Sequence, residues 1–251
     1  MTIHETDHGE GILELVIDQP PVNALTIGLL HDLAARLRSV RDRPEVHVVV
    51  LRGAGRGFCG GGDVQEVQRL PGLDGILGQA SGSQAASLAV AECAVPVVAA
   101  VHGYCIGVGC LIAGTADVIM AAEGTRFVLA EVDFGATAGA VQALGLLPAK
   151  RLRSAMMTGE PVDAAELHRH GSVYRLVPEE GLVDASRAVG ATIAAKSPEV
   201  MRRFKESLNA TTGMETLRSR YRAELSYTYE LNMLGEAARQ RDDFLRGKEA
   251  E

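Results

Sequence analysis

The run VPVVAAV, Val95 to Val101, followed by HGYCIGVGCLIAG, His102 to Gly114, decides how this chain is read. A β-branched run that breaks into closely spaced glycines is a buried strand entering a tight turn, where backbone N–H groups lie uncovered by side chains. FCGGGD, Phe58 to Asp63, stands in the same relation to VHVVVLR, Val46 to Arg52. Two strands thus each deliver a loop rich in free N–H donors, and two such loops face to face make an oxyanion hole. Neither loop is a nucleotide motif. No GK[ST] follows, and Ile112 stands where a dinucleotide fingerprint built on Gly107 and Gly109 requires its third glycine.

Strands and helices alternate on either side of these loops. GILELVI, Gly11 to Ile17, alternates as a strand, DQPPVNAL breaks it, and Thr26 caps a helix whose Leu29, Leu30, Leu33 and Leu37 share one face. Asp42-Arg43-Pro44 stops that helix, completing a β-α-β opening. Asp63 caps the helix VQEVQRL, whose positive end faces the glycine loop. Pro71 to Gly78 holds three glycines and is expected as a loop that moves over a site, with a helix from Ser83 to Glu92 after it. ADVIMAA and RFVLAEV are two more strands; Glu131 ends the second, as a solvated strand end or as a buried base. Asp163 and Glu166 form a capping-box pattern, Gly171 ends that helix, and SVYRLVP returns as a strand. From Glu179 the pattern is helical: Leu182 to Lys196, a helix opened by Ser197-Pro198, and Met214 to Leu245 interrupted at Gly235. The tail GKEAE is expected without structure.

With 251 residues, 47% of them hydrophobic and 23% charged, the chain has enough material for a full soluble core. Its formal charge of -7, with no basic cluster interleaved with aromatics, argues against a nucleic-acid surface. Four cysteines, Cys59, Cys93, Cys105 and Cys110, fit neither a disulfide framework nor a metal pair and are read as small apolar fillers. His168 and His170 are two residues apart on a helix and point apart, so no metal site is expected. MTIHETDHGE lacks the apolar core of a signal peptide, and no apolar run reaches the roughly 20 residues of a membrane span. A cytoplasmic location is the expectation.

The order PPVNAL (Pro20 to Leu25), GAGRGFCGGGD (Gly53 to Asp63), VPVVAAVHGYCIGVGC (Val95 to Cys110), ADVIMAAEGTRFVLAEVDFG (Ala116 to Gly135) and GSVYRLVP (Gly171 to Pro178) resembles the enoyl-CoA hydratase/isomerase family, the crotonases. The match spans nearly the whole chain. It implies an α/β fold: a crotonase (ClpP-like) spiral of ββα units over residues 1–195, then a C-terminal helical trimerisation layer over 196–251. The implied assembly is a homotrimer or a dimer of trimers, with Leu225, Leu231, Met233 and Leu234 on the subunit face. The implied ligand is an acyl-CoA, with the coenzyme A thioester as substrate and no cofactor, metal, nucleic acid or membrane partner.

Residue by residue, the resemblance places the hole at the N–H groups of Gly62 and Val108 and a catalytic carboxylate at Glu131, in a motif that reads Ala130-Glu131 here. It sets Val22, Ala24 and Leu25 along the CoA arm and Gly60, Asp63, Val64, Tyr104, Leu111 and Tyr229 around the acyl-CoA. Arg246 and Lys248 are the cations offered to its adenine end. The departure is Leu111, where hydratases of the family carry a second glutamate. Glu131 is then the single family carboxylate, with Asp133 as its expected assistant. HGSVYRLV (His170 to Val177), KESLNA (Lys205 to Ala210) and YTYELNMLGEA (Tyr227 to Ala237) are similar to the family's ring-opening hydrolases of actinobacterial steroid degradation. Ring opening of a cyclic β-keto acyl-CoA or enoyl-CoA isomerisation is therefore expected ahead of plain hydration, in which Asp133 or a tyrosine would hold the water. A non-catalytic acyl-CoA-binding or complex-forming protein is the alternative of another class.

Overall fold

A computed structural model describes residues 2–213 and 216–249, with side chains through residue 247. β1 (Thr2–Asp7) folds back antiparallel on β2 (Ile12–Asp18). β2 then pairs in parallel with β3 (Val48–Gly53), β3 with β4 (Val97–Val101), and β4 with a strand numbered β6 below. Between them run α1 (Ile27–Ser39), capped by the Thr26 hydroxyl, α2 (Val64–Arg69), capped by Asp63, and α3 (Asp74–Ala91). The chain leaves the main sheet through β5 (Tyr104–Ile106) and α4 (Val108–Gly114), re-enters at β6 (Val118–Ala122), and leaves again through β7 (Arg126–Val128). After α5 (Ala140–Ala143) and α6 (Ala149–Thr158), β8 (Val162–Asp163) joins β5 and β7 in a three-stranded sheet. α7 (Ala164–Arg169) then leads to β9 (Arg175–Val177), which completes the six-stranded order β1-β2-β3-β4-β6-β9.

Strands covered on both faces are apolar throughout, because alternate side chains enter two different cores. Val49, Leu51, Val97, Ala99 and Val101 face the core beneath α1 and α3. Val48, Val50, Val98, Ala100 and Met120 face α8 (Leu182–Ala194). The two runs that looked like buried strands in the sequence are the centre of the sheet, and each carries its glycine loop out of the same end.

The stretch Pro71 to Gly78 is not the expected mobile loop. From Asp74 it is already helix α3, nine residues ahead of the expected start. Its glycines serve close packing: a Cβ on Gly78 would come within 2.6 Å of Ile27, one on Gly82 within 2.9 Å of Leu30, and one on Gly75 would strike the carbonyl of Val67. α1, α2 and α3 approach one another only because these positions carry no side chain. The penalty of helical glycine is about 1 kcal/mol relative to alanine, small beside the apolar surface buried here.

α9 (Pro198–Thr211) opens with Ser197 as cap and proline in its first turn, α10 spans Leu217–Met233, and Gly235 at φ +80 turns the chain into α11 (Glu236–Glu249). Met214 lies outside the described residues, and GKEAE is helical as far as Glu249. Leu225 was expected on a subunit face; instead it packs with Leu217 and Tyr221 against Ala80, Leu88, Ala138 and Val141 of its own chain. Met233 and Leu234 are 71% and 70% exposed. The KESLNA segment fixes α9 to the entrance of β4. Lys205, buried, donates to the carbonyls of Val90 and Val95 at 3.1 and 3.2 Å and to Asp117 Oδ2 at 2.6 Å, and Asn209 donates to the Ala91 carbonyl at 2.9 Å. Removing the ammonium leaves the Val90 and Val95 carbonyls without a buried donor, which costs about 1–3 kcal/mol. Lys205→Ala is therefore expected to destabilise the chain by about 2 kcal/mol, read as a lower urea midpoint at unchanged m-value; a shift under about 0.5 kcal/mol counts against the anchor.

Candidate active site

The two glycine loops meet through their backbones. Ile106 N–H donates to the Cys59 carbonyl at 2.9 Å, and Cys59 and Cys105 form an isolated parallel bridge. The first loop is held on its other side by PPVNAL: Leu25 N–H donates to Gly61 O at 2.8 Å, and Asp63 N–H to Leu25 O at 3.0 Å. Asn23, at φ +55, donates from its amide to the carbonyls of Ala54 and Gly57 at 2.7 and 2.8 Å and accepts from Gln19 N–H at 2.8 Å. This single buried amide locks both loops of the first half of the site, a role its sequence position did not disclose.

Between these flanking bonds the N–H of Gly62 donates to no acceptor among the described residues. Val108 is the first residue of α4, after Gly107 at φ +50, so its N–H has no partner within the helix. The bonds from Cys110 and Leu111 N–H to Gly107 O, at 2.8 and 3.2 Å, start the helix without it. Val108 has no positive φ, so valine takes this position without strain. The loops approach closely: a Cβ on Gly107 would lie 3.9 Å from the Gly61 Cα and 3.7 Å from Glu131 Oε1.

Glu131 opens a short 3-10 turn, Glu131–Phe134, three residues beyond β7. The residue as a whole is part-exposed, but both carboxylate oxygens are sealed from solvent and without a protein partner. Burial raises its pKa from 4.5 to about 7, and the negative charges of Glu224 and Asp133 act in the same direction. Leu111, 3% exposed, stands beside it: a Cβ on Gly139 would lie 2.8 Å from Leu111 Cδ2 and 3.6 Å from Glu131 Oε1. A sealed, neutral-pH carboxyl next to two free N–H donors and an apolar wall is the equipment for moving a proton beside a developing oxyanion.

Other expected site residues are placed differently. Asp133 does not join Glu131 in the sealed site. A 3-10 turn has three residues per turn, so positions two apart diverge; Asp133 is exposed, with Oδ2 facing Gly159. Leu25 is fully buried in the main core, while Val22 and Ala24 are part-exposed and Val22 packs on Gly60. Asp63 spends its carboxylate on Glu66 N–H at 3.0 Å, with Val64 as the first helical residue behind it. Tyr104 braces the first loop, its ring against Gly57 and its hydroxyl buried without a partner. Tyr229 is part-buried at the edge of the Leu217–Tyr221–Leu225 cluster, and Tyr227 is exposed. Arg246 pairs with Asp243 at 3.0 Å on exposed α11, and the side chain of Lys248 lies outside those described. All four cysteines are buried and reduced; burial pushes the Cys59 thiol up to about 12 and raises Cys93 and Cys105 as well.

Gln79 and Glu224 escaped the sequence reading. The Gln79 amide from α3 fills the space a Gly62 Cβ would take, and its Oε1 is buried without a partner. Glu224 of α10 accepts from Gly139 and Val141 N–H at 2.8 and 2.9 Å. Among the described residues no helix is long and apolar enough to cross a membrane.

With this geometry in hand, comparison with known proteins is specific. A family model described as enoyl-CoA hydratase/isomerase matches residues 7–244. The chain is 40% identical over 245 residues to a Rhodococcus jostii (strain RHA1) protein named (7aS)-7a-methyl-1,5-dioxo-2,3,5,6,7,7a-hexahydro-1H-indene-carboxyl-CoA hydrolase, covering 98% of this chain and 95% of that one. A Mycobacterium tuberculosis (strain ATCC 25618 / H37Rv) protein of the same name is 39% identical over 246 residues, covering 98% and 99%. Among solved structures, an enoyl-CoA hydratase from Mycobacterium avium subsp. paratuberculosis K-10 superposes with a TM-score of 0.84 at 25% identity, over 97% of this chain and 95% of that chain.

Proposed function

Because this chain belongs to the enoyl-CoA hydratase/isomerase family of acyl-CoA-processing enzymes, with a crotonase spiral fold, we propose that it hydrolytically opens the ring of a cyclic β-keto acyl-CoA, working in the cytoplasm as a trimer or dimer of trimers. The observation that carries the reading is one sealed carboxyl, Glu131, facing Leu111 where a second carboxylate would serve hydration. The names of the Rhodococcus and Mycobacterium relatives, hydrolases of a bicyclic dioxo acyl-CoA, support it.

The thioester oxygen sits between the N–H groups of Gly62 and Val108. Glu131, ionised, takes a proton from water as its oxygen adds to the ring ketone β to the thioester. The bond between that carbonyl carbon and the thioester α-carbon breaks. Its electron pair passes into the thioester as an enolate, whose oxygen the two N–H groups stabilise. Protonated Glu131 returns the proton to the α-carbon. Water is consumed, a single opened acyl-CoA bearing a new carboxylic acid is released, and no redox partner is needed. One carboxyl does both transfers because they occur in sequence, and a pKa near neutral lets it give and take the proton at comparable cost.

The test incubates the protein in ¹⁸O-water with a cyclic β-keto acyl-CoA and, separately, with a trans-2-enoyl-CoA and its 3-enoyl isomer, read by mass spectrometry. Gain of one labelled water by the cyclic substrate alone is the expected result. Rapid water gain by the 2-enoyl thioester, or isomer interconversion with an inert cyclic substrate, refutes ring opening.

A further inference from the structure

Two side chains of α10 grip the loop that joins Glu131 to α5. Glu224 commits both carboxylate oxygens to the junction of that loop with α5, Oε2 accepting from Gly139 N–H at 2.8 Å and Oε1 from Val141 N–H at 2.9 Å. One turn on, Thr228 Oγ1 accepts from Thr137 N–H at 2.9 Å, and the Thr137 hydroxyl donates to the Glu224 carbonyl at 3.1 Å. The gripped residue Gly139 has φ +124 and ψ −12, a conformation open to glycine, and it lies against both Leu111 and Glu131, since a Cβ there would stand 2.8 Å from Leu111 Cδ2 and 3.6 Å from Glu131 Oε1. Any rotation of Gly139 moves the wall against which the catalytic carboxyl rests.

We propose that Glu224 is a positioning residue for Glu131, acting through the Gly139 backbone and through the negative charge it brings beside that carboxyl. The proposal rests on Glu131 being the acid/base of the reaction above. A neutral acceptor could hold a loop. A carboxylate placed next to another buried carboxyl also makes ionisation of the second harder, which suits a group that must carry a proton between two steps.

The surroundings of Glu131 isolate this effect. α4 and the loop present Leu111 and the glycines at 107 and 139. α10 presents Glu224 and the buried phenol of Tyr221, whose own ionisation is opposed by burial and then by Glu131 and Glu224. Asp133 on the same turn is exposed. α11 packs on that turn through Ala237 at Gly135 and Phe244 at Phe134. Its nearby charges are engaged elsewhere, Arg241 with Gln68 and Asn232 at 3.0 Å and Asp242 with Gln68. α6 brings Gly159, against Asp133. Burial raises the pKa of Glu224 itself, and the Gly139 and Val141 N–H bonds and then Arg220, on α10, act the other way, toward its charged form. The two charges that act on Glu131 are thus both negative, and one of them is anchored.

The test follows the Glu131 carboxyl directly, by infrared difference titration assigned through subtraction of Glu131→Gln. No substrate is needed, so failure of the ring-opening chemistry would not disturb it. In Glu224→Gln the Glu131 carboxyl is expected to ionise at clearly lower pH, with the acidic limb of kcat/KM moving alongside. In Glu224→Asp, which keeps the charge but cannot reach both N–H groups, the titration should stay high while kcat falls at least about tenfold. A folded Glu224→Gln chain with an unmoved Glu131 titration overturns the proposal, as does Glu224→Asp with full kcat. If Glu224→Gln does not fold, Glu224→Asp and Thr228→Val carry the test: both keep the charge and slacken the loop. A Glu131 titration that drops to the ordinary carboxylate range in either refutes the charge effect.

Discussion

Glu131→Gln is expected to turn over its substrate about 10²–10⁴-fold more slowly than the wild type, the usual worth of a positioned acid/base, while acyl-CoA affinity by calorimetry stays within about threefold. The amide preserves shape and cannot relay a proton. Unchanged turnover would remove Glu131 from the mechanism, and equal loss of binding would make it a structural residue. The same variant should also report the strain of burying a carboxyl. The folded pKa of about 7 lies above the ordinary 4.5, so the folded state binds more protons than the unfolded state between those values. The favourable contribution of the protonated form is fully present below about 4.5 and is lost as pH rises through about 7. At about 1.4 kcal/mol for each pKa unit, the loss amounts to about 3 kcal/mol. Glu131→Gln should therefore match wild-type stability at pH 4 and exceed it at pH 8. Equal stability at both pH values would mean that the carboxyl is hydrated in the folded chain.

Val108→Pro should lower kcat by roughly 10²–10³-fold, or about 3–4 kcal/mol of transition-state stabilisation, by deleting one oxyanion donor. Backbone donors are ordinarily beyond mutagenesis, but this one sits at the first position of α4, where proline fits the helix and forfeits no intrahelical bond. Thermal unfolding of the variant should remain cooperative and within a few degrees of wild type. Val108→Ala is the companion: it trims the same side chain and keeps the N–H, so it should retain most activity. If alanine costs as much as proline, the side chain matters and the proposed hole is wrong.

Much of this site could be read along the chain because its donors are backbone groups. A free N–H needs a strand to deliver it and glycine to uncover it, and FCGGGD and GYCIGVGC advertise both requirements locally. Glu131 was legible only through resemblance, since an acid after an apolar run looks alike whether it ends in solvent or inside. The glycines of Pro71 to Gly78 were misread because a glycine needed for a turn and a glycine needed for close helix packing are identical in sequence; the difference lies in Ile27 and Val67, which the chain places opposite them. Asp133 was given a place by its distance in sequence from Glu131, and the 3-10 turn sent it elsewhere.

The sequence by itself determined the central strands, the two donor loops and the loss of one carboxylate at Leu111, because these depend on local periodicity, on conformations open to glycine and on residue identity. Only the tertiary structure decided that Asn23 locks the loops, that Gln79 lies against Gly62, and that Glu224 grips a segment more than eighty positions away at Gly139. One trace of the last was present: Tyr221, Leu225 and Thr228 follow one face of α10, and a glutamate beside that stripe needs a partner. Which partner it finds is set by how α10 crosses the sheet-bearing core, a packing outcome that depends on side chains from the whole chain at once.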